Sequence, residues 1–217
     1  MSTPETSVTR SSSGTLDDAA ARANILRAAS DLFYARGFTA VGMDELRAAS
    51  GVPLKRLYRL FPSKEALVEE VLLSWQAMWT AGVTAQVECA TIPRDRLLAV
   101  YDFLAGWFAS EGFRGFAFIN SFGEAGGTSP RIAGIVRGQK KSFQDYLAQV
   151  AEEAGAPSSL APQLAILAEG AITTAAISAS AEPAWQARAA AEVLIDIALH
   201  HRPVCAHCSG QALAGPS

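Results

Sequence analysis

Helical spacing recurs along the whole chain, and no run of alternating Val, Ile, Thr and Tyr stands out. A half-buried strand needs apolar residues at every second position, whereas a helix needs them three and four apart. The expected fold class is therefore all-α. Among the 217 residues, half are apolar and 18% are charged, too apolar for a disordered chain and too interrupted by charge for a membrane bundle.

Glycine, proline and capping residues set the helix limits. Thr15 is read as the cap of a first helix over about 16–36, with Asp18 completing a capping box, Ile25, Ala29, Leu32 and Phe33 on one face, and Gly37 as the left-handed stop. A short helix over 43–49 closes at Ser50-Gly51, and another over 54–61 follows Val52-Pro53. Ser63 caps a longer one, and Pro93 opens a helix that ends near Gly112. Phe113 to Phe122 reads as a short aromatic segment and Gly123 to Ser129 as a loop. Pro130 starts a helix to about Glu153, Ser159 begins the next, and Pro183 the last, to about His201. Residues 1–15 and 202–217 are expected to be disordered tails. The first residues lack the basic start and apolar run of a signal peptide, and three cysteines are too few for a disulfide framework. Both features point to a cytoplasmic protein.

Two short helices joined by a tight glycine turn have helix-turn-helix geometry, in which the second helix enters the DNA major groove. Leu46, Val52, Leu57 and Leu60 are placed to form the small core between them, which leaves Leu54, Lys55, Arg56, Tyr58 and Arg59 outward. Charge supports this reading. From Arg47 to Lys64 there are five cations and no acid, although the chain carries a formal charge of −3. Residues 76–217 hold nine cations and twelve acids, so the positive field is concentrated at one end. Arg56 and Arg59 suit bidentate reading of guanine, and Lys55 and Lys64 suit phosphate. Thr39 and Gly42 offer a hydroxyl and an amide near the start of the second helix.

The ordered run Gly37-Phe38-Thr39, Met43-x-x-Leu46, Ser50-Gly51-Val52 and Leu57-Tyr58-x-x-Phe61-Pro62-Ser63-Lys64-Glu65-Ala66-Leu67 resembles the DNA-binding domain of the tetracycline-repressor (TetR) family over about residues 16–72. The resemblance implies a helix-turn-helix domain over 16–62 and a helical effector-binding and dimerisation domain over 63–201. It implies a ligand-controlled repressor that a hydrophobic or aromatic small molecule releases from a double-stranded DNA operator, with Tyr58 touching the DNA backbone. Three positions depart from the family pattern. Arg47 stands where the family has a small residue and must bend outward, Pro53 replaces a hydroxyl cap, and Arg56 replaces a common hydroxyl position.

Aromatic residues crowd the rest of the chain and suggest an apolar cavity, although each could equally fill core. The candidate effector residues are Trp75, Trp79, Phe103, Trp107, Phe118, Phe122 and Phe143, with Asn120, Glu124, Glu169 and Thr173 as polar contacts. Small residues recur every fourth position in Gly170-Thr174-Ser178 and Ala171-Ala175-Ala179, and Trp185, Ala189, Val193 and Ile197 repeat the spacing in the last helix. These helices resemble the family's four-helix dimerisation bundle, so Gly170, Ala171, Thr174, Ala175, Ser178, Val193 and Ile197 are assigned to a homodimer interface. Residues 160–181 have the length of a membrane span, but Gln163, Glu169 and the weak hydrophobicity of alanine argue against insertion.

No catalytic constellation is found, and neither enzymatic activity nor a cofactor is expected. The glycines at 123, 126 and 127 lack the Gly-Lys-Ser/Thr of a phosphate-binding loop. Cys205 and Cys208 with His200, His201 and His207 have zinc-ligand types but no defined turn to hold them, so no metal site is assigned. The rival reading is a helical enzyme, or a metal- or redox-binding protein, with an incidental helix-turn-helix.

Overall fold

The computed structural model describes residues 11–200, with side chains from Asp17 onward. Among the described residues the chain forms nine α-helices and no strand: α1 (Ser11–Arg36), α2 (Met43–Ser50), α3 (Leu54–Leu60), α4 (Lys64–Glu88), α5 (Pro93–Phe108), α6 (Ala117–Ala125), α7 (Pro130–Glu153), α8 (Leu160–Ser178) and α9 (Glu182–His200). His201 and the Cys205, His207 and Cys208 group lie outside these residues.

Two compact units result. Unit one contains Met1–Thr84 and Ser110–Phe143; unit two contains Ala85–Ala109 and Gln144–Ser217. The division follows contacts rather than sequence order, and it falls within α4 and α7.

In unit one, α1 buries Ala21, Ile25, Ala29 and Phe33, a four-residue spacing that turns one stripe inward, while Leu32 is only half-buried. The helix starts at Ser11, before the expected Thr15 cap. Gly37 ends it with a φ of 77°, as its missing Cβ allows. Leu46, Val52, Leu57 and Phe61 form the interior of the α2–α3 pair, and Leu60 is half-buried. Arg22 on α1 ties the pair to α4: its guanidinium lies 4.6 Å above the Phe61 ring and is ion-paired with Glu70. Ser63 accepts the Ala66 N–H at 3.1 Å and so caps α4 as the sequence indicates.

Within the expected aromatic segment and loop, residues 117–125 form α6, while Gly126 to Ser129 is non-helical as expected. Helix α6 buries Phe118, Ser121 and Ala125, and Gly123 is helical because this packing outweighs its poor propensity. Trp79, Phe116, Phe118 and Phe143 pack together, with Trp79 4.9 Å from Phe116 and 5.9 Å from Phe143 between ring centroids.

In unit two, α5, α8 and α9 pack together, α8 and α9 through alanine-rich faces. Ala168, Ala171 and Ala175 on α8 and Ala184, Ala187 and Ala191 on α9 are buried. Tyr101 is fully buried on α5 and donates its hydroxyl to the Leu164 carbonyl at 2.8 Å. Burial pushes its pKa up, so it remains a neutral donor. Helix α8 is long and apolar enough by length and composition to cross a bilayer, and 44% of its most apolar window is buried within the protein.

Candidate nucleic-acid interface and effector cleft

Local turn chemistry builds the α2–α3 unit. Gly51 adopts the left-handed conformation (φ 67°, ψ 10°), and its N–H closes on the Arg47 carbonyl. Pro53 precedes α3 with a φ of −57°, and its carbonyl accepts the Arg56 and Leu57 N–H groups at 2.9 and 3.0 Å. Because Leu57 points inward, Lys55, Tyr58 and Arg59 are exposed and Leu54 and Arg56 are half-buried. Tyr58 is 45% exposed.

Arg47 bends outward and lies 3.5 Å from Asp44, one turn earlier on α2. Gly42 is the exposed N-cap of that helix. Thr39 is exposed, but its backbone N–H is engaged by Glu124 Oε2 at 2.8 Å, and Lys64 Nζ donates to the Thr39 carbonyl at 3.4 Å. The carboxylate also packs on Gly37, where any Cβ would meet it. Glu124 thereby joins the end of α6 to the turn that leads into α2.

Sequence reading missed the partners of Arg56 and Arg59. Asp18 does not form a capping box, because it lies beyond the first turn of the longer α1. Its Oδ1 instead accepts Arg56 Nε at 2.9 Å, Arg56 Nη2 at 2.6 Å and Arg59 Nη2 at 2.6 Å. Asp17 Oδ2 adds a 2.6 Å contact to Arg56 Nη2. Hydrogen bonds that Arg56 donates to Asp17, and then to Asp18, hold its pKa above the ordinary value. The separations of 38 and 41 residues explain the omission, since no local pattern connects them.

A cleft of about 310 Å³ opens between the end of α1, α4 and α6, within unit one. Phe38, Tyr34 and Trp75 supply apolar wall, and Arg114, Asn120 and Glu124 supply polar groups. Trp75 donates to Ser30 at 2.8 Å, and Tyr34 OH accepts the Arg114 N–H at 2.9 Å while donating to the Gly115 carbonyl at 3.2 Å. These bonds fix the two rings, which meet edge-on at 6.0 Å.

Of the sequence-derived effector residues, only Trp75, Asn120 and Glu124 line this cleft. Trp79, Phe118 and Phe143 are buried in the neighbouring aromatic cluster, and Phe122 is 43% exposed with the Arg137 guanidinium 5.9 Å above it. Phe103, Trp107, Glu169 and Thr173 belong to unit two, where the two aromatics stack at 6.4 Å and Thr173 donates to the Glu169 carbonyl. The expected set is thus divided between two units.

The interface candidates divide as well. Gly170, Thr174 and Ser178 are exposed, as are Val193 and Ile197, whereas Ala171 and Ala175 face the interior of their own chain. Thr174 and Ser178 donate back to the carbonyls of Gly170 and Thr174 at 2.8 Å, so their hydroxyls are satisfied within α8. Among the described residues, no cluster of three His, Cys, Asp or Glu is arranged to hold a metal ion.

This arrangement defines an all-α helix-turn-helix protein with a cationic second helix. Residues 25–71 match the family model described as bacterial regulatory proteins, tetR family. The match places the 25–71 segment with the DNA-binding domains of the tetR-type regulators, and the chain as a whole is similar to proteins of that kind. It is similar to the HTH-type transcriptional activator FasR of Mycolicibacterium smegmatis, with 34% identity over 120 residues, 54% of this chain and 52% of that protein. The chain therefore matches about half the length of that curated relative. A TetR-family transcriptional regulator from Streptomyces coelicolor has a similar structure, with a TM-score of 0.77 and 25% identity over 83% of this chain and 97% of the other. Escherichia coli NemR in its reduced form gives a TM-score of 0.71 and 26% identity over 80% and 97% of the two chains.

Proposed function

We propose that this protein is a dimeric transcriptional regulator in which α3 reads duplex DNA and a small hydrophobic or aromatic molecule alters that binding. The observation that carries the reading is the surface of α3: a left-handed glycine turn and an inward Leu57 leave Lys55, Tyr58 and Arg59 exposed on a stretch with no acid from Arg47 to Lys64. Such a surface suits phosphate contact by lysine and base-edge contact by arginine. Arg47, Leu54, Arg56 and Lys64 flank it, with Thr39 and Gly42 beside the start of α2. A DNA partner places the protein in the cytoplasm, and the reading assigns it no enzymatic role.

Dimerisation is supported by the exposed apolar residues of unit two: Ile166 and Ile177 on α8, and Trp185, Val193 and Ile197 on α9. Groups of this size in one region of surface are expected to be covered by another chain. A two-fold pair must set its recognition helices about 34–36 Å apart to meet successive turns of one DNA face. The reading adopts repression relieved by ligand, which requires that effector and DNA prefer different conformers. Support for coupling comes from the cleft, whose wall includes Glu124, the residue bonded to the turn before α2.

Selection of duplexes from random DNA by the full-length chain, followed by titration of the selected duplex, tests this reading. Enrichment of a two-fold symmetric sequence bound by a dimer is expected. Binding with no sequence preference overturns it.

A further inference from the structure

Resting on the DNA-reading role of α3, we infer that Asp18 is a specificity-determining positioning residue: it holds Arg56 as a strut, leaves Arg59 as the base reader, and withholds the Arg56 guanidinium from non-specific phosphate. One oxygen of this α1 carboxylate takes three N–H donors from two arginines of α3. A guanidinium has five N–H groups in a fixed fork. Arg56 directs its Nε and Nη2 edge at Asp18, and the same Nη2 also meets Asp17. That edge is one of those through which a guanidinium makes a bidentate contact to guanine. Arg59 commits only Nη2, keeps its remaining donors, and is 61% exposed against 24% for Arg56.

The two arginines are therefore unequal although the sequence presents them as equivalents. A random duplex offers chiefly phosphate, which must displace a carboxylate already in place, with similar charge and geometry. A matching sequence offers base-edge acceptors to Arg59 without breaking the Arg56 contact. Asp18 thus weakens non-specific binding more than specific binding, and the ratio between the two rises.

Asp18→Asn tests this in the full-length protein, with affinities for the selected operator and for a random duplex of equal length measured between about 50 and 200 mM salt. Asparagine keeps the size and removes the charge. The expected result is several-fold tighter random-duplex binding, a steeper salt dependence by about one to two phosphate contacts, and an operator-to-random ratio roughly tenfold lower. Asp18→Glu restores part of the ratio, and an unchanged thermal melt of each variant confirms that α1 is intact. An unchanged ratio and salt slope, or an equal loss of affinity for both duplexes, overturns the inference while the DNA-binding reading stands. A wild-type protein that does not discriminate between the duplexes overturns both.

Discussion

In unit one the guanidiniums of Arg56 and Arg59 meet Asp17 and Asp18, and in unit two Arg94 meets Glu192 and Asp196 while Arg188 meets Asp102. The bonds are alike, with N–O distances of 2.6–2.8 Å at their shortest. Their surroundings differ. Arg94 faces two carboxylates on α9 and joins that helix to α5, so its charge is consumed in holding two helices together. Arg56 and Arg59 belong to a surface that also carries Lys55, Arg47 and Lys64, so cationic charge remains after Asp17 and Asp18 are counted. An arginine–carboxylate pair does not reveal its role by geometry alone. The balance of charge around it, and the element that carries it, decide whether it braces a fold or prepares a surface.

Interior substitutions break this comparison most strongly. Leu57 and Leu104 are both fully buried, one beneath the cationic face of α3 and one in unit two. Replacement of either by alanine is expected to cost about 2–5 kcal/mol of stability in chemical denaturation. Only Leu57→Ala should also reduce DNA affinity at temperatures well below its melt, because α3 rests on that side chain. Equal losses of DNA affinity in both variants would remove the distinction between the units.

Arginine substitutions sharpen it at a smaller scale. Arg59→Ala should weaken operator binding by about 1–3 kcal/mol, roughly five- to 150-fold, and relax the preference at one base pair in each half-site. Arg94→Ala should lower the thermal melt and leave base preference unchanged. Competition binding against single-base operator variants separates these outcomes. A changed preference in Arg94→Ala would contradict its bracing role.

The smallest effect concerns pH. The hydrogen bond from Arg94 holds the Asp196 carboxyl below its ordinary value. A carboxylate whose pKa is lower in the folded state contributes stability above its unfolded pKa, and loses that contribution as pH falls through the folded value. Melts recorded from about pH 6 down to about pH 3 should therefore decline less steeply in Asp196→Asn than in the wild type. Because the pair is largely solvated, the difference should be modest and should shrink in high salt.

The helix-turn-helix was legible in the sequence because its determinants are local. Gly51 needs a positive φ, Pro53 fixes the start of α3, and Leu57 and Phe61 lie one turn apart, so the expected limits of α2 and α3 agree with those observed to within a residue. Helix α6 was hidden because Gly123 inside it and the turn from Gly126 just after it make the segment read as loop, while the burial of Phe118, Ser121 and Ala125 that stabilises it depends on tertiary packing. Asp18 was assigned to a local cap since its true partners are distant in sequence. The aromatic set could not be partitioned for the same reason. Rows of small residues on α8 mark close helix approach without saying whose helix approaches: Ala171 and Ala175 are covered by their own chain, and the adjacent Gly170, Thr174 and Ser178 are not.

Protection mapping of both strands of the selected operator, bound to the full-length protein and probed at guanine N7 in the major groove, tests the central claim most directly. Two protected patches centred one helical turn apart on one face of the duplex, with the guanine protection lost in Arg59→Ala, are the predicted result. Protection confined to the minor groove, or a major-groove pattern that Arg59→Ala leaves intact, would contradict it.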